Sequence, residues 1–115
     1  MNITLAGKTF PLMPPTGMAA LDVRLAFPRA ENRPLLFRWS FAVVGLSWAG
    51  KKLPCPDVAA CKHDLIAYGE QVYAALVSEG LIKSDADILA VDAAAAEIVG
   101  ALSPKKEEVE KARDF

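Results

Sequence analysis

The first twelve residues alternate apolar and polar side chains, which is the pattern of a β-strand with one buried face. The run Ile3-Thr4-Leu5 is followed by the turn Ala6-Gly7-Lys8 and then by the run Thr9-Phe10-Pro11-Leu12. Two short runs around a glycine-containing turn predict a β-hairpin over residues Asn2 to Leu12. Pro11 has no amide hydrogen to donate, so the second run is expected to be an edge strand or to end there.

Beyond two consecutive prolines, apolar residues recur at helical spacing. The segment from Met18 to Phe27 predicts a short first helix that Pro28 closes. A second helix is expected from Leu35 to Trp48, with Asn32 as its N-cap and Pro34 in its first turn. Apolar residues cover almost every face of this second helix, which predicts that it lies at the centre of the fold.

The stretch from Gly50 to Pro56 contains a glycine and two prolines and predicts a loop. Asp57 is expected to cap a long helix from Val58 to Glu79, with Gly80 as its C-terminal cap. The apolar stripe of that helix is Cys61, Leu65, Tyr68, Val72 and Leu76.

Ser84 is expected to begin the last helix, with Asp85 and Asp87 favourably placed in its first turn. Its apolar stripe is Ile88, Val91, Ala95, Ile98 or Val99, and Leu102. Together these patterns predict a mostly α fold, a helical bundle of about four helices with a short N-terminal β-hairpin. Residues 1–103 are expected to form one domain, and residues 104–115, whose charges alternate in sign, a solvated tail.

Composition narrows the classes of function. The chain has 115 residues, of which 53% are hydrophobic, and its 13 basic and 14 acidic side chains leave a net charge of −1. This charge gives no electrostatic footprint for nucleic acid. The segment from Leu35 to Ala49 is short for a membrane span and contains Arg38 and Ser40, which favours a buried helix. No signal-peptide pattern opens the sequence, so the expected location is cytoplasmic, with no membrane association.

The residues with the most reactive side chains do not form a recognisable site. Cys55, Cys61, His63 and Asp64 lack the paired spacing of a structural zinc site, so we expect two free thiols and no metal. No nucleophile and base are suitably spaced, and the glycines form no phosphate-binding motif, so we expect neither an enzyme nor a cofactor. Trp48 beside Lys51-Lys52 could stack on a base, although an indole folded over the core explains it more simply.

Gly69 stands inside a predicted helix, where glycine costs about 1 kcal/mol relative to alanine. Close packing against another helix, at Trp39 or Trp48, would explain this position. A second explanation is that Gly69 forms the floor of a groove in which a partner helix lies.

The segment from Asp64 to Gly80, with its Tyr68-Gly69 pair and terminal glycine, resembles the central helix of the small tail assembly proteins of long-tailed bacteriophages and prophages. The order of elements is similar as well: a strand-forming start, a hydrophobic helix ending near a tryptophan, a proline-rich loop, the aromatic-glycine helix and another amphipathic helix. The resemblance covers most of the chain.

This resemblance implies a tail assembly chaperone of the host-cell cytoplasm, which coats the tape measure protein, or another helical tail protein, until the tail tube polymerises. The implied partner-binding residues are Phe37, Phe41, Tyr68, Gly69 and Tyr73, although the aromatic residues could equally belong to the core. Tyr73 lies off the apolar stripe of its helix and is therefore the best candidate for an exposed contact. A homo-oligomer is possible.

Two other classes of function remain open. A structural tail completion or connector subunit, retained in the virion, is favoured by the hairpin, because an edge strand can extend a neighbour's sheet. A small enzyme would need a convergent polar pocket, which the sequence does not indicate.

Overall fold

The computed structural model describes residues 1–26, 33–50, 52–55 and 57–102. In chain order the elements are β1 (Asn2–Leu5), β2 (Lys8–Pro11), α1 (Gly17–Leu25), α2 (Arg33–Leu46), α3 (Leu65–Ser78) and α4 (Asp85–Leu102). The fold is mostly helical with an N-terminal hairpin, which confirms the predicted class. The predicted tail and the residues Phe27, Pro28 and Asn32 lie outside the described residues.

The hairpin has a two-residue turn at Ala6 and Gly7, with φ angles of 49° and 79°. Two consecutive positive φ angles are typical of a type I′ turn, whose twist matches that of the flanking strands. The strands pair antiparallel, with Thr4 opposite Thr9, and β2 ends at Pro11 as the sequence predicts. Side chains on one face of β1 are buried and hold the hairpin on the helices.

Helix α2 lies at the centre, as its apolar faces predict. Six consecutive residues, 39–44, are buried, and α2 packs against α1, α3 and α4. On α1, the carbonyl of Val23 accepts a hydrogen bond of 3.0 Å from the indole Nε1 of Trp39. No helix among the described residues is both long and apolar enough to cross a membrane.

Two glycines allow α2 and α3 to approach closely. A Cβ added at Gly69 would overlap the carbonyl oxygen of Arg38 and lie 2.6 Å from its carbonyl carbon. On α2, a Cβ at Gly45 would lie 2.5 Å from the Cγ2 of Val72. Close helix packing therefore accounts for Gly69, although its partner is the backbone of Arg38 and not either tryptophan.

The prediction that a helix begins at Val58 is wrong. Residues 58–63 form turns, and Lys62 and His63 have φ angles of 55° and 59°, which interrupt a right-handed helix. Asp57 caps only the first of these turns, through a hydrogen bond from the amide of Ala60. Asp64 is the true N-cap of α3, because its carboxylate accepts from the amides of residues 66 and 67.

The C-terminus of α3 follows the prediction. Gly80 has a φ of 71°, its amide donates to the carbonyl of Val77 (3.0 Å), and the amide of Leu81 donates to the carbonyl of Leu76 (2.9 Å). These two bonds define a Schellman motif, which needs a residue with positive φ at this place.

Asp87 joins the start of α4 to the hairpin. Its carboxylate accepts hydrogen bonds from the amide of Ala6 (2.9 Å) and from the amides of Lys83 (2.8 Å) and Ser84 (3.2 Å). These hydrogen bonds, that of Ala6 foremost, lower the pKa of Asp87. Asp85 and Asp87 lie in the first turn of α4, as predicted. Through its bond with Ala6, Asp87 also fixes the hairpin turn to the helical bundle.

Candidate functional site

Three of the five predicted partner-binding residues form one aromatic cluster where α2 meets α3. The ring of Phe37 lies 4.8 Å from that of Phe41 and 5.5 Å from that of Tyr73. Phe41 and Tyr73 meet edge to face, with ring centroids 5.2 Å apart. Phe41 is fully buried, whereas Tyr73 is 37% exposed, so the cluster runs from the core to the surface.

The exposed side of this cluster continues along α3. Val77 is 44% exposed and follows Tyr73 by four residues, which places both on one helix face. Beside them, Phe37, Arg38, Glu70 and Tyr73 line a shallow depression of about 380 Å³. We define the α2–α3 patch as Phe37, Tyr73 and Val77 together with Arg38 and Glu70.

A surface ion pair borders the patch. The Nε of Arg38 lies 2.9 Å from the Oε1 of Glu70, and both side chains are about half exposed. Such a pair contributes only about 0–1 kcal/mol to stability. Its two charges therefore remain available to polar groups of a partner at the edge of the apolar surface.

Tyr68 and Gly69 lie apart from the α2–α3 patch. Gly69 is buried against α2, as described above. Tyr68 is buried on another face of α3, where it lines a small cavity of about 130 Å³ with Gly45, Trp48, Lys52, Leu53, Cys55 and Asp57. Burial, followed by the nearby Cys55, Asp57 and Cys61, raises the pKa of Tyr68 to about 12. The five predicted residues therefore do not form a single surface.

Trp48 packs over the hairpin. Its ring lies 4.8 Å from that of Phe10, and Leu12 forms an isolated antiparallel bridge with it. The interpretation of Trp48 as an indole folded over the core fits this geometry better than base stacking does. Lys51 lies outside the described residues.

Of the four residues considered as metal ligands, the two cysteines are free thiols, and His63 and Asp64 have other partners. Cys55 and Cys61 are free and half-buried, and burial raises the pKa of the Cys55 thiol. The Nδ1 of His63 lies 3.1 Å from the Oδ2 of Asp22 on α1, and Asp64 caps α3. Within the described ranges, no group of three or more His, Cys, Asp or Glu side chains is placed to hold a metal ion.

Sequence reasoning missed Val77, Arg38 and Glu70. The exposure of Val77 beside Tyr73 could have been predicted from the sequence, because Val77 lies one helical turn beyond Tyr73 and off the apolar stripe of α3. No sequence pattern indicates that Arg38 pairs with Glu70, since their contact depends on how α2 crosses α3. No protein-family model, curated protein or solved structure matches this chain.

Proposed function

We propose that this protein is an assembly factor that binds another protein through the α2–α3 patch, and that it acts as a bacteriophage tail assembly chaperone for the tape measure protein. The observation that carries the first part is the patch itself, an exposed aromatic and aliphatic strip bordered by one ion pair. The resemblance of the segment from Asp64 to Gly80 supports the second part.

The geometry of the patch suits an amphipathic helix. Tyr73 and Val77 present apolar atoms one helical turn apart, and Phe37 widens the strip from the neighbouring helix. A partner helix can cover such a strip with residues at i, i+3, i+4 and i+7. The buried ring of Phe41 supports Phe37 and Tyr73 from below, so these rings lose little conformational freedom when a partner binds.

The charges of Arg38 and Glu70 suit a partner helix whose apolar face is flanked by both acidic and basic side chains. Arg38 and Glu70 stand at the border of the strip, where they can pair with opposite charges on the partner. Rim charges of this kind contribute more to orientation and specificity than to affinity. The apolar strip is therefore expected to supply most of the binding free energy.

Two substitutions at equally exposed positions test the patch. Val77 is 44% exposed and Leu21, on α1, is 43% exposed. We expect Val77→Lys to lower recovery of the tape measure protein by about tenfold, which corresponds to about 1.4 kcal/mol, because it places a charge within the apolar strip. Leu21→Lys should leave recovery unchanged. Recovery is measured by affinity purification from cells in which the phage or prophage replicates.

A structural tail completion or connector subunit is the second candidate. It is favoured by the outer edge of β1, with which no strand of the described residues pairs. Purified particles separate the two functions. A chaperone binds the tape measure protein in cells and is missing from mature particles, whereas a structural subunit is present in them at fixed copy number. Equal recovery with both lysine variants would contradict the role of the α2–α3 patch under either function.

A further inference from the structure

The two strands of the hairpin differ in what lies along their outer edges. Met1 and Leu12 exchange two backbone hydrogen bonds, of 2.7 and 3.2 Å. Because hydrogen-bonded and non-hydrogen-bonded pairs alternate in an antiparallel ladder, Ile3 and Leu5 also bond across to β2. The amide and carbonyl groups of Asn2 and Thr4 therefore point away from the hairpin.

The outer edge of β2 is partly closed by the chain itself. The carbonyl of Pro11 accepts from the amide of Ala49 (3.2 Å), and the amide of Met13 donates to the carbonyl of Ser47 (2.7 Å). Proline in this strand and lysine at its start are also common protections of a sheet edge. Residues Asn2–Leu5 contain no proline and no charged side chain, and no strand of the described residues pairs with their outer edge.

A groove runs beside this unprotected edge. β1 lies along α4, with Ala6 bonded to Asp87 at one end. A groove of about 250 Å³ is lined by Asn2, Ile3, Thr4, Ala90, Ala93, Ala94 and Glu97. The small side chains of the alanines leave room for another backbone next to β1, and the carboxylate of Glu97 stands near the Asn2 end.

We propose that the outer edge of β1 accepts an extended segment of a partner protein as a third strand. Asn2 and Thr4 supply two donors and two acceptors at the two-residue repeat that only an extended chain matches. Alternate side chains of the segment rest on the alanines of α4, so they are small and apolar. A basic side chain of the segment faces Glu97. This inference does not depend on the proposed function.

The position of α4 argues against a second copy of the hairpin as the occupant. α4 packs under β1, and its alanines line the groove along the outer edge of that strand. An antiparallel β1–β1 pair would place two strands about 4.8 Å apart. The two copies of α4 would then need axes closer than the 8–10 Å that packed helices require. A single strand that carries no helix of its own fits the groove.

Two proline variants test the edge. Thr4 and Thr9 are opposite each other in a non-hydrogen-bonded pair, so neither amide bonds within the hairpin. Both substitutions also remove the same contact between the two threonine hydroxyls. Thr4→Pro blocks the outer edge of β1, whereas Thr9→Pro alters the opposite edge and is the matched control.

The probe is the capped hexapeptide KTATVT, titrated into isotope-labelled protein and followed by the amide resonances. Paired parallel to β1, so that its N-terminus lies beside Asn2, the peptide presents its lysine to Glu97 and its alanine and valine to the groove. In the wild-type protein we expect the amide resonances of Asn2, Thr4 and Ala93 to shift saturably, with a Kd of about 1 mM or tighter. Thr4→Pro should bind the peptide at least about tenfold more weakly. Thr9→Pro should bind it as the wild-type protein does. The peptide ETATVT should bind more weakly than KTATVT because its charge is reversed.

Several outcomes would overturn the proposal. These are the absence of saturable shifts in the wild-type protein, equal binding by Thr4→Pro, and shifts confined to the Thr9 edge. Ala93→Phe fills the groove at an exposed position and replaces Thr4→Pro if that variant does not fold. Concentration-dependent shifts at Asn2 and Thr4 without peptide would assign the edge to a second copy of this chain instead.

Discussion

Substitution of Gly69 by alanine tests how closely α2 and α3 pack. The added Cβ would overlap the backbone carbonyl of Arg38, and backbone in the middle of a helix cannot move aside as a side chain can. Overpacking typically costs about 1–3 kcal/mol, and this site belongs at the upper end, about 3 kcal/mol. Alanine regains about 1 kcal/mol of helix propensity. The net loss is therefore about 2 kcal/mol, or about 10 °C in Tm for a domain of this size.

Two other glycines provide matched controls for this substitution. At Gly45 an added Cβ would lie 2.5 Å from a methyl group of the buried Val72 and 3.2 Å from the ring of Tyr68. Side chains can adjust more than backbone, so Gly45→Ala should cost less than Gly69→Ala, about 1 kcal/mol net. At Gly100 an added Cβ meets nothing within 4 Å, so Gly100→Ala should raise stability by about 0.5 kcal/mol. Urea denaturation followed by circular dichroism measures all three variants. A Gly69→Ala protein within about 0.5 kcal/mol of wild type would refute the packing argument.

Two further predictions concern pH. The folded pKa of Asp87 is lowered, so its contribution to stability is complete above the unfolded pKa of about 3.9 and is lost as pH falls through the folded value. Asp87→Asn should therefore flatten the acid limb of stability against pH, and an unchanged acid limb would contradict this. Tyr68 has a folded pKa of about 12, raised above its unfolded value of about 10, so its contribution is lost as pH rises through this window. Alkaline unfolding of Tyr68→Phe should depend less steeply on pH between these values, and an equally steep dependence would contradict the assignment.

The sequence predicted those elements whose cause is local. The turn at Ala6-Gly7 and the Schellman motif at Gly80 depend on residues within one or two turns of the chain, and both are confirmed. The buried stripe of Leu65, Tyr68, Val72 and Leu76 follows from helical periodicity. In each case the residues that determine the local conformation or the buried face are close neighbours in the chain.

The start of α3 was mispredicted because two aspartates compete for the role of N-cap. Cys61 fits the helical period, so the pattern extended the helix back to Asp57. The structure instead places Lys62 and His63 in the left-handed region, and the contact of His63 with Asp22 on α1 is tertiary. Periodicity alone does not detect a break of this kind, since the side chains on both sides of it are still partly buried.

Contacts between residues that are far apart in the chain could not be predicted from the sequence. The bond from the amide of Ala6 to Asp87 joins residues 81 positions apart, and the pattern indicated only a helix-dipole role for Asp87. The partner of Gly69 and the pairing of Arg38 with Glu70 likewise depend on how α2 crosses α3. The exposure of Tyr73 was predictable, whereas its separation from Tyr68 and Gly69 became clear only from the structure.

Site-specific photo-crosslinking tests the central claim, that the α2–α3 patch binds a partner protein. A photoreactive phenylalanine analogue replaces Tyr73 in one protein and Leu21 in another, since both positions are helical and similarly exposed. If the proposed chaperone function is right, irradiation in cells that produce the tail should give a crosslink to the tape measure protein from position 73 and none from position 21. Crosslinks of equal yield from both positions, or none from position 73, would contradict the account.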